Sequence, residues 1–108
     1  MNSTRKGQQF CREICASARA RGLEAETVPM SGHLGRRHGG NPYDLAIADY
    51  RIEAKRYKGG IGSKAVEDIL TGDQGVTAVA HQSDRGIALI TLGLEDFLDL
   101  LAKAHGRW

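Results

Sequence analysis

The stretch Asn41–Lys55, N-P-Y-D-L-A-I-A-D-Y-R-I-E-A-K, constrains the fold of this chain more than any other part of it. Apolar and polar residues alternate through Tyr43–Ala48 and again through Ile52–Lys55, which predicts two short strands with a turn at Ala48-Asp49-Tyr50-Arg51. With Asp49 and Tyr50 as the loop, Ile47 faces Ile52, Leu45 faces Ala54 and Asp44 faces Lys55. Leu45, Ile47, Ile52 and Ala54 then share an apolar face, and Asp44, Glu53 and Lys55 emerge together on the other. A four-residue loop preserves this parity, whereas a three-residue loop breaks it.

Two carboxylates held that close repel unless something positive stands between them. One reading is a hard-oxygen site for Mg²⁺ or Mn²⁺, completed by water and a substrate phosphate. Lys55 would then orient or deprotonate an attacking water, or neutralise charge at phosphorus. The other is an Asp44–Lys55 cross-strand pair with Glu53 solvated. The D-x₈-E-x-K spacing alone leaves both open.

At 108 residues the chain is expected to be one domain, 1–108, with a modest core that dimerisation would help to bury. Hydrophobic residues make up 41%, yet no apolar run is long enough to cross a bilayer and Met1–Lys6 has no signal-peptide pattern. The expectation is a cytoplasmic protein with no membrane partner, in the host cytoplasm if it is phage-encoded. Cys11 and Cys15 lie one turn apart in an amphipathic pattern, so they are expected to pack as small apolar groups. C-x₃-C with scattered His33, His38, His81 and His105 does not match the paired spacing of structural zinc sites. The net charge of +2 hides an asymmetry: residues 1–64 carry 12 Lys/Arg against 6 Asp/Glu, and residues 65–108 carry 3 against 7. A positive field around paired carboxylates suits a polyphosphate substrate such as nucleic acid.

Taken in order, Arg5–Arg21 predicts a helix with Phe10, Cys11, Ile14, Cys15 and Ala18 on one face and Gly22 as its stop. Leu23–Met30 predicts a strand ending near Pro29. Ser31–Gly40, S-G-H-L-G-R-R-H-G-G, is expected to be a mobile basic loop, either lying along a phosphate backbone through Arg36 and Arg37 or serving as a linker. Arg56 and Lys58 continue the basic character. Tyr57 could stack on a base or cover the core edge. Ser63 is the expected N-cap of a helix through Leu70, with Ala65, Val66, Ile69 and Leu70 buried and Gly72 as its stop. Val76–Ala80 and Ile87–Thr91 predict an antiparallel pair about a Ser83-Asp84-Arg85-Gly86 turn. A last helix carries Leu94, Phe97, Leu98, Leu101 and Ala104 on one face, with Gly106 after it. The order α-β-β-β-α-β-β-α predicts an α/β domain, a mixed sheet flanked by helices.

With Pro42-Tyr43-Asp44 and Glu53-Ala54-Lys55 as its motif, the chain resembles the PD-(D/E)XK nuclease superfamily, whose fold is restriction-endonuclease-like. Within it, the chain is most similar to archaeal-type Holliday junction resolvases and their phage relatives. Arg5-Lys6-Gly7 opening the first helix, Met30-Ser31-Gly32 ending the first strand and the basic loop before the motif support the narrower likeness. It covers residues 5 to about 70, and the rest by element order. The resemblance implies a Mg²⁺-dependent endodeoxyribonuclease working as a homodimer on branched or double-stranded DNA, in recombination and repair. Asp44, Glu53 and the main-chain carbonyl of Ala54 would hold the metal. Lys55 would assist the water, and Ser31 would contact the site or the scissile phosphate. Arg5, Lys6, Arg36, Arg37, Arg56 and Lys58 are the expected DNA contacts. Relatives carry a glutamate four residues after the glycine of R-K-G, where this chain has Cys11. The alternatives are a nuclease of the same superfamily cutting nicked, flapped or plain duplex DNA, and a DNA-binding protein that kept the fold and lost catalysis.

Overall fold

A computed structural model describes residues 3–28 and 43–106. Among these, three helices and a five-stranded mixed sheet build an α/β fold, in the order α1 (Ser3–Ala20), β1 (Ala25–Thr27), β2 (Leu45–Ile47), β3 (Tyr50–Tyr57), α2 (Ser63–Thr71), β4 (Ala78–Ser83), β5 (Leu89–Thr91) and α3 (Leu94–Ala104). The strands lie in chain order. β1, β2 and β3 form an antiparallel meander, β4 runs parallel to β3 after the α2 crossover, and β5 returns antiparallel to β4. None of the helices is long and apolar enough to cross a membrane among the described residues.

Helix α1 ends where the sequence stops it. Gly22 takes φ +80°, Leu23 N–H donates to the Ala18 carbonyl at 3.1 Å and Gly22 N–H to Arg19 at 3.0 Å, which caps the last carbonyls. Its apolar stripe, Phe10, Cys11 and Cys15, is buried on one face of the sheet against Leu45, Ile52, Ala54, Ala78 and Ala80. The opposite face carries a smaller cluster, Val66 of α2 with Val76 and Val79, onto which Tyr43, Ile61, Ile69 and Leu70 pack. β3 and β4 are therefore covered on both sides, and this is why β3 buries Ile52, Glu53 and Ala54 in succession instead of alternating.

Several boundaries differ from the sequence expectation. β1 and β2 are shorter than expected, and Pro29 and Met30 lie outside the described residues. β3 is longer at both ends, and β4 begins at Ala78 but runs on through Ser83. Gly62, not Ser63, caps α2, and it makes no side-chain cap bond.

The consequential difference is register. β2 pairs with β3 as Leu45↔Ile52, Ala46↔Arg51 and Ile47↔Tyr50, so the loop is Ala48-Asp49, not Asp49-Tyr50. Tyr50 joins the strand because its ring packs against the α1 cluster, and Ala48, bonded through its N–H to the Glu24 carbonyl at 2.8 Å, turns the chain at φ +52°. A slip of two residues keeps Leu45, Ile47, Ile52 and Ala54 on one face, but the pairing stops at Leu45↔Ile52 and Asp44 is no longer opposite Lys55.

Ala48 holds a left-handed conformation that favours glycine. Ala48→Gly is expected to raise the unfolding free energy by about 0.5–1 kcal/mol, read from denaturant melts. Lower stability in that variant would place the turn elsewhere.

Candidate active site

β2 begins only at Leu45, opposite Ile52, but β3 continues past Ile52, so the next backbone groups on that side of β3 have lost their ladder partner. Which groups these are follows from the other edge. Thr77 N–H donates to the Arg51 carbonyl at 2.8 Å, so odd-numbered residues of β3 turn their backbone toward β4 and even-numbered ones toward β2. Asp44 N–H accordingly donates to the Ile52 carbonyl at 3.0 Å, and the next even residue, Ala54, gives its N–H to Asp44 Oδ2 at 2.9 Å. The carboxylate lies in the plane of the sheet, in the place of a further strand residue. Val28, the residue after β1, donates its N–H to the Asp44 carbonyl at 2.9 Å, so the chain leaving β1 and strand β3 hold Asp44 from both sides.

By the same alternation the Ala54 carbonyl points to the side where Asp44 stands. Glu53 and Lys55 project to the α2 face, since their partners across the parallel pair are Val79 and His81 and Val79 belongs to the α2 cluster. The expected common face for Asp44, Glu53 and Lys55 is thus corrected: two of them share a face, and Asp44 reaches the same place along the edge. Glu53 is only 5% exposed, and its Oε2 accepts from Lys55 Nζ at 3.1 Å. Burial pulls the Lys55 pKa down, but the charge of Glu53 and its hydrogen bond outweigh this and leave the net value raised. Lys55 is an ammonium at neutral pH, suited to donating a hydrogen bond and neutralising charge, not to abstracting a proton. Lys55 pairs with Glu53, and the charge of Asp44 also favours its ammonium form.

Cys11 lies on the α1 side of the same strand end. Its thiol is pushed up to about 12, by burial first, then by the charge of Asp44, by Cys15 and by Glu53, with Arg12 opposing. The helix position that carries a glutamate in the resembled family therefore sits within electrostatic reach of both carboxylates. It brings them a neutral thiol.

Asp44, Glu53 and the Ala54 carbonyl form a set of hard oxygen donors, and the two carboxylates have Lys55 as a positive neighbour. That donor chemistry fits Mg²⁺ or Mn²⁺. Among the described residues no group of three or more His, Cys, Asp or Glu gathers as a metal cluster. Ser31, Arg36 and Arg37 lie outside the described residues.

Three of the expected DNA contacts converge elsewhere. Lys6 at the start of α1 bonds Asp84 of the β4–β5 turn at 2.6 Å, and Asp84 is lowered in pKa by that hydrogen bond and by the charges of Lys6, Arg56 and Lys58. A cavity of about 450 Å³ beside them is lined by Lys58, Gly59, Ser83, Asp84 and Arg85. Arg5 is exposed on α1, and Tyr57 is exposed at the end of β3. Arg56 Nε is buried with no hydrogen-bond partner among the described residues.

Sequence reasoning missed His81. It lies beside Lys55 on the adjacent strand, on the same face, and its Nε2 is 2.8 Å from Thr91 Oγ1. Continuing the alternation of the fourth strand past Ala80 was the signal that could have found it. Comparison of the chain with protein-family models, with curated proteins and with solved structures gives no match.

Cys15 is also raised by burial, so neither thiol is expected to react in the folded protein. With Ellman's reagent at pH 8 both should react only on unfolding; one fast native thiol would contradict the packing of α1. Because the unfolded Cys11 thiol loses its proton near 9.0 and the folded one near 12, the unfolded state binds fewer protons in between. Stability should therefore fall across pH 9–12, more steeply than in Cys11→Ala.

Proposed function

We propose that this chain is a metal-dependent endodeoxyribonuclease of the PD-(D/E)XK type, acting in the cytoplasm and as a pair on branched DNA such as a four-way junction. The observation that carries the reading is the convergence of Asp44, the Ala54 main chain, Glu53 and Lys55 at the point where β2 releases β3. That is the D…E-x-K motif brought to one place by two neighbouring strands. The restriction-endonuclease-like fold is part of the proposal, supported by the order β1 to β5 with its single parallel pair in the middle.

Asp44, Glu53 and the Ala54 carbonyl would hold the cation, and when bound it supplies Lewis-acid activation of water and of the phosphoryl oxygens. The chain does the rest. Asp44 cannot swing away, since its main chain bonds both neighbouring strands and its carboxylate bonds a third group. Glu53 is fixed by burial and by Lys55. The Lys55 ammonium is placed to orient the attacking water or to stabilise the charge that builds on the phosphate oxygens as water attacks phosphorus and the 3′ oxygen departs. Lys6, Arg56 and Lys58, gathered near Asp84, supply sequence-independent attraction for the backbone.

A second reading, a DNA-binding protein of this fold without catalysis, is favoured by one observation: α1 offers Cys11, a neutral buried thiol, where relatives place a carboxylate.

Incubating the protein with four-way junction, flap and linear duplex, in Mg²⁺ and in EDTA, separates these readings: cutting, its target and its metal dependence are each read directly. Asp44→Asn, which keeps an acceptor for the Ala54 amide, Glu53→Gln and Lys55→Met should each lower single-turnover cleavage by about a hundredfold or more while DNA affinity is retained. Near wild-type cutting in any of the three would sink the site assignment; junction binding without cutting by the wild type would leave the second reading.

A further inference from the structure

The parallel strands β3 and β4 end side by side, and the segments that leave them wall a cavity of about 450 Å³ lined by Lys58, Gly59, Ser83, Asp84 and Arg85. Main-chain bonds fix those walls. Asp84 N–H donates to the Lys58 carbonyl at 3.3 Å, which ties the β4–β5 turn to the chain leaving β3. The turn closes through Gly86 N–H to the Ser83 carbonyl at 3.1 Å and through Gln82 Nε2 to the Gly86 carbonyl at 3.0 Å. Asp84 is therefore presented from a braced turn.

The charges around it are unequal. Even-numbered residues of β3 and β4 face α1, as Ile52, Ala54, Ala78 and Ala80 do in the α1 cluster, so Arg56 and its partner Gln82 lie on that side too. On that side Lys6 reaches from the start of α1 to Asp84 Oδ1 at 2.6 Å. Lys6, Arg56, Lys58 and Arg85 thus gather at one end of the sheet, where Asp84 is the one acid of the cavity lining. Arg56 Nε is buried there with no hydrogen-bond partner among the described residues. A strut between helix and turn needs one cation, not several. A lysine and an arginine flanking the carboxylate that already holds Lys6 make an anion site, with Asp84 as its internal occupant. The Lys6 and Asp84 side chains are 20% and 38% exposed, so a second oxyanion can reach the pair without disturbing the core.

The cavity is larger than one carboxylate fills and falls in the range of pockets that take a small molecule. A phosphate with its sugar matches it: the phosphate oxygens accept from Lys58 and Arg85, and the Ser83 hydroxyl adds a neutral donor. Lys58 lies three residues beyond Lys55, roughly 10 Å at the rise of a strand. A DNA strand whose scissile phosphate meets Lys55 therefore reaches the cavity within a few nucleotides.

We propose that this cavity is a second phosphate site, taking a non-scissile phosphodiester of the bound strand, and that Asp84 holds Lys6 until that phosphate replaces it. Asp84 is then an internal competitor that sets affinity for DNA. This rests on the DNA-binding part of the reading above and not on cleavage, so its test is run in EDTA. Fluorescence anisotropy with a labelled linear duplex gives affinity over a salt series, and amide chemical shifts report where the anion sits. Asp84→Asn, which keeps the shape of the side chain, should bind duplex about fivefold more tightly. It should also steepen the dependence of log affinity on log salt by about 0.9, because Lys6 then neutralises a phosphate in full. Lys58→Ala with Arg85→Ala should weaken binding by about tenfold or more and flatten that slope by about 1.8. Duplex, and inorganic phosphate at millimolar concentration, should each move the amides of Lys58, Gly59 and Ser83–Gly86. Asp84→Asn that binds no more tightly than wild type would reduce the Lys6–Asp84 pair to a strut and overturn the proposal, as would amides that duplex leaves unmoved. Amides moved by inorganic phosphate and not by duplex would assign the cavity to free phosphate and overturn the DNA occupant. The expected binding pattern in a protein that cuts no DNA in Mg²⁺ would strike the nuclease reading and leave this site standing.

Discussion

The Ala54 amide is the group on which the rest of the site depends. It belongs to a strand that outruns its neighbour, and a main-chain N–H left without a partner in a covered sheet costs about 1–3 kcal/mol. Asp44 removes that cost with its side chain, and in doing so commits a carboxylate to the sheet plane. The Ala54 carbonyl turns to the same side, and Glu53 and Lys55 follow from the strand on either side of it. The cluster is thus a by-product of how an uneven strand pair satisfies its hydrogen bonds.

Burial explains why this cluster holds together instead of dissolving into a solvated face. α1 covers one side of β3 and α2 the other, so Glu53 has almost no water and its charge must be answered within the protein. Lys55, two residues along the same face, answers it at 3.1 Å. The same crowding acts on a third group: Cys11, on the α1 side of the sheet, holds its proton through burial first and then through the charge of Asp44.

The alternation of residues 43–55 made the hairpin legible in the sequence, and with it the apolar face of Leu45, Ile52 and Ala54. Register was not legible, because moving the loop by one residue, from Asp49-Tyr50 to Ala48-Asp49, slips the pairing by two and leaves Leu45, Ile47, Ile52 and Ala54 on the same face. The choice was made by Tyr50 packing under α1 and by an alanine accepting φ +52°, and neither is a pattern in the sequence. The same blindness hid the pairing of His81 with Lys55, a contact between strands separated by a whole helix. The Lys6–Asp84 bond, which joins the first helix to the last hairpin, is likewise a product of the fold alone.

The charge asymmetry of the chain acquires a spatial meaning from these contacts. Basic residues of the first half, Lys6, Arg56 and Lys58, come together around the one acid of the β4–β5 turn, while Asp96 and Asp99 of α3 are within electrostatic reach of Tyr50. A polyanion approaching the domain would meet attraction at the ends of β3 and β4 and repulsion along α3. The acids of α3 and its exposed apolar residues therefore share the part of the surface that would repel a polyanion.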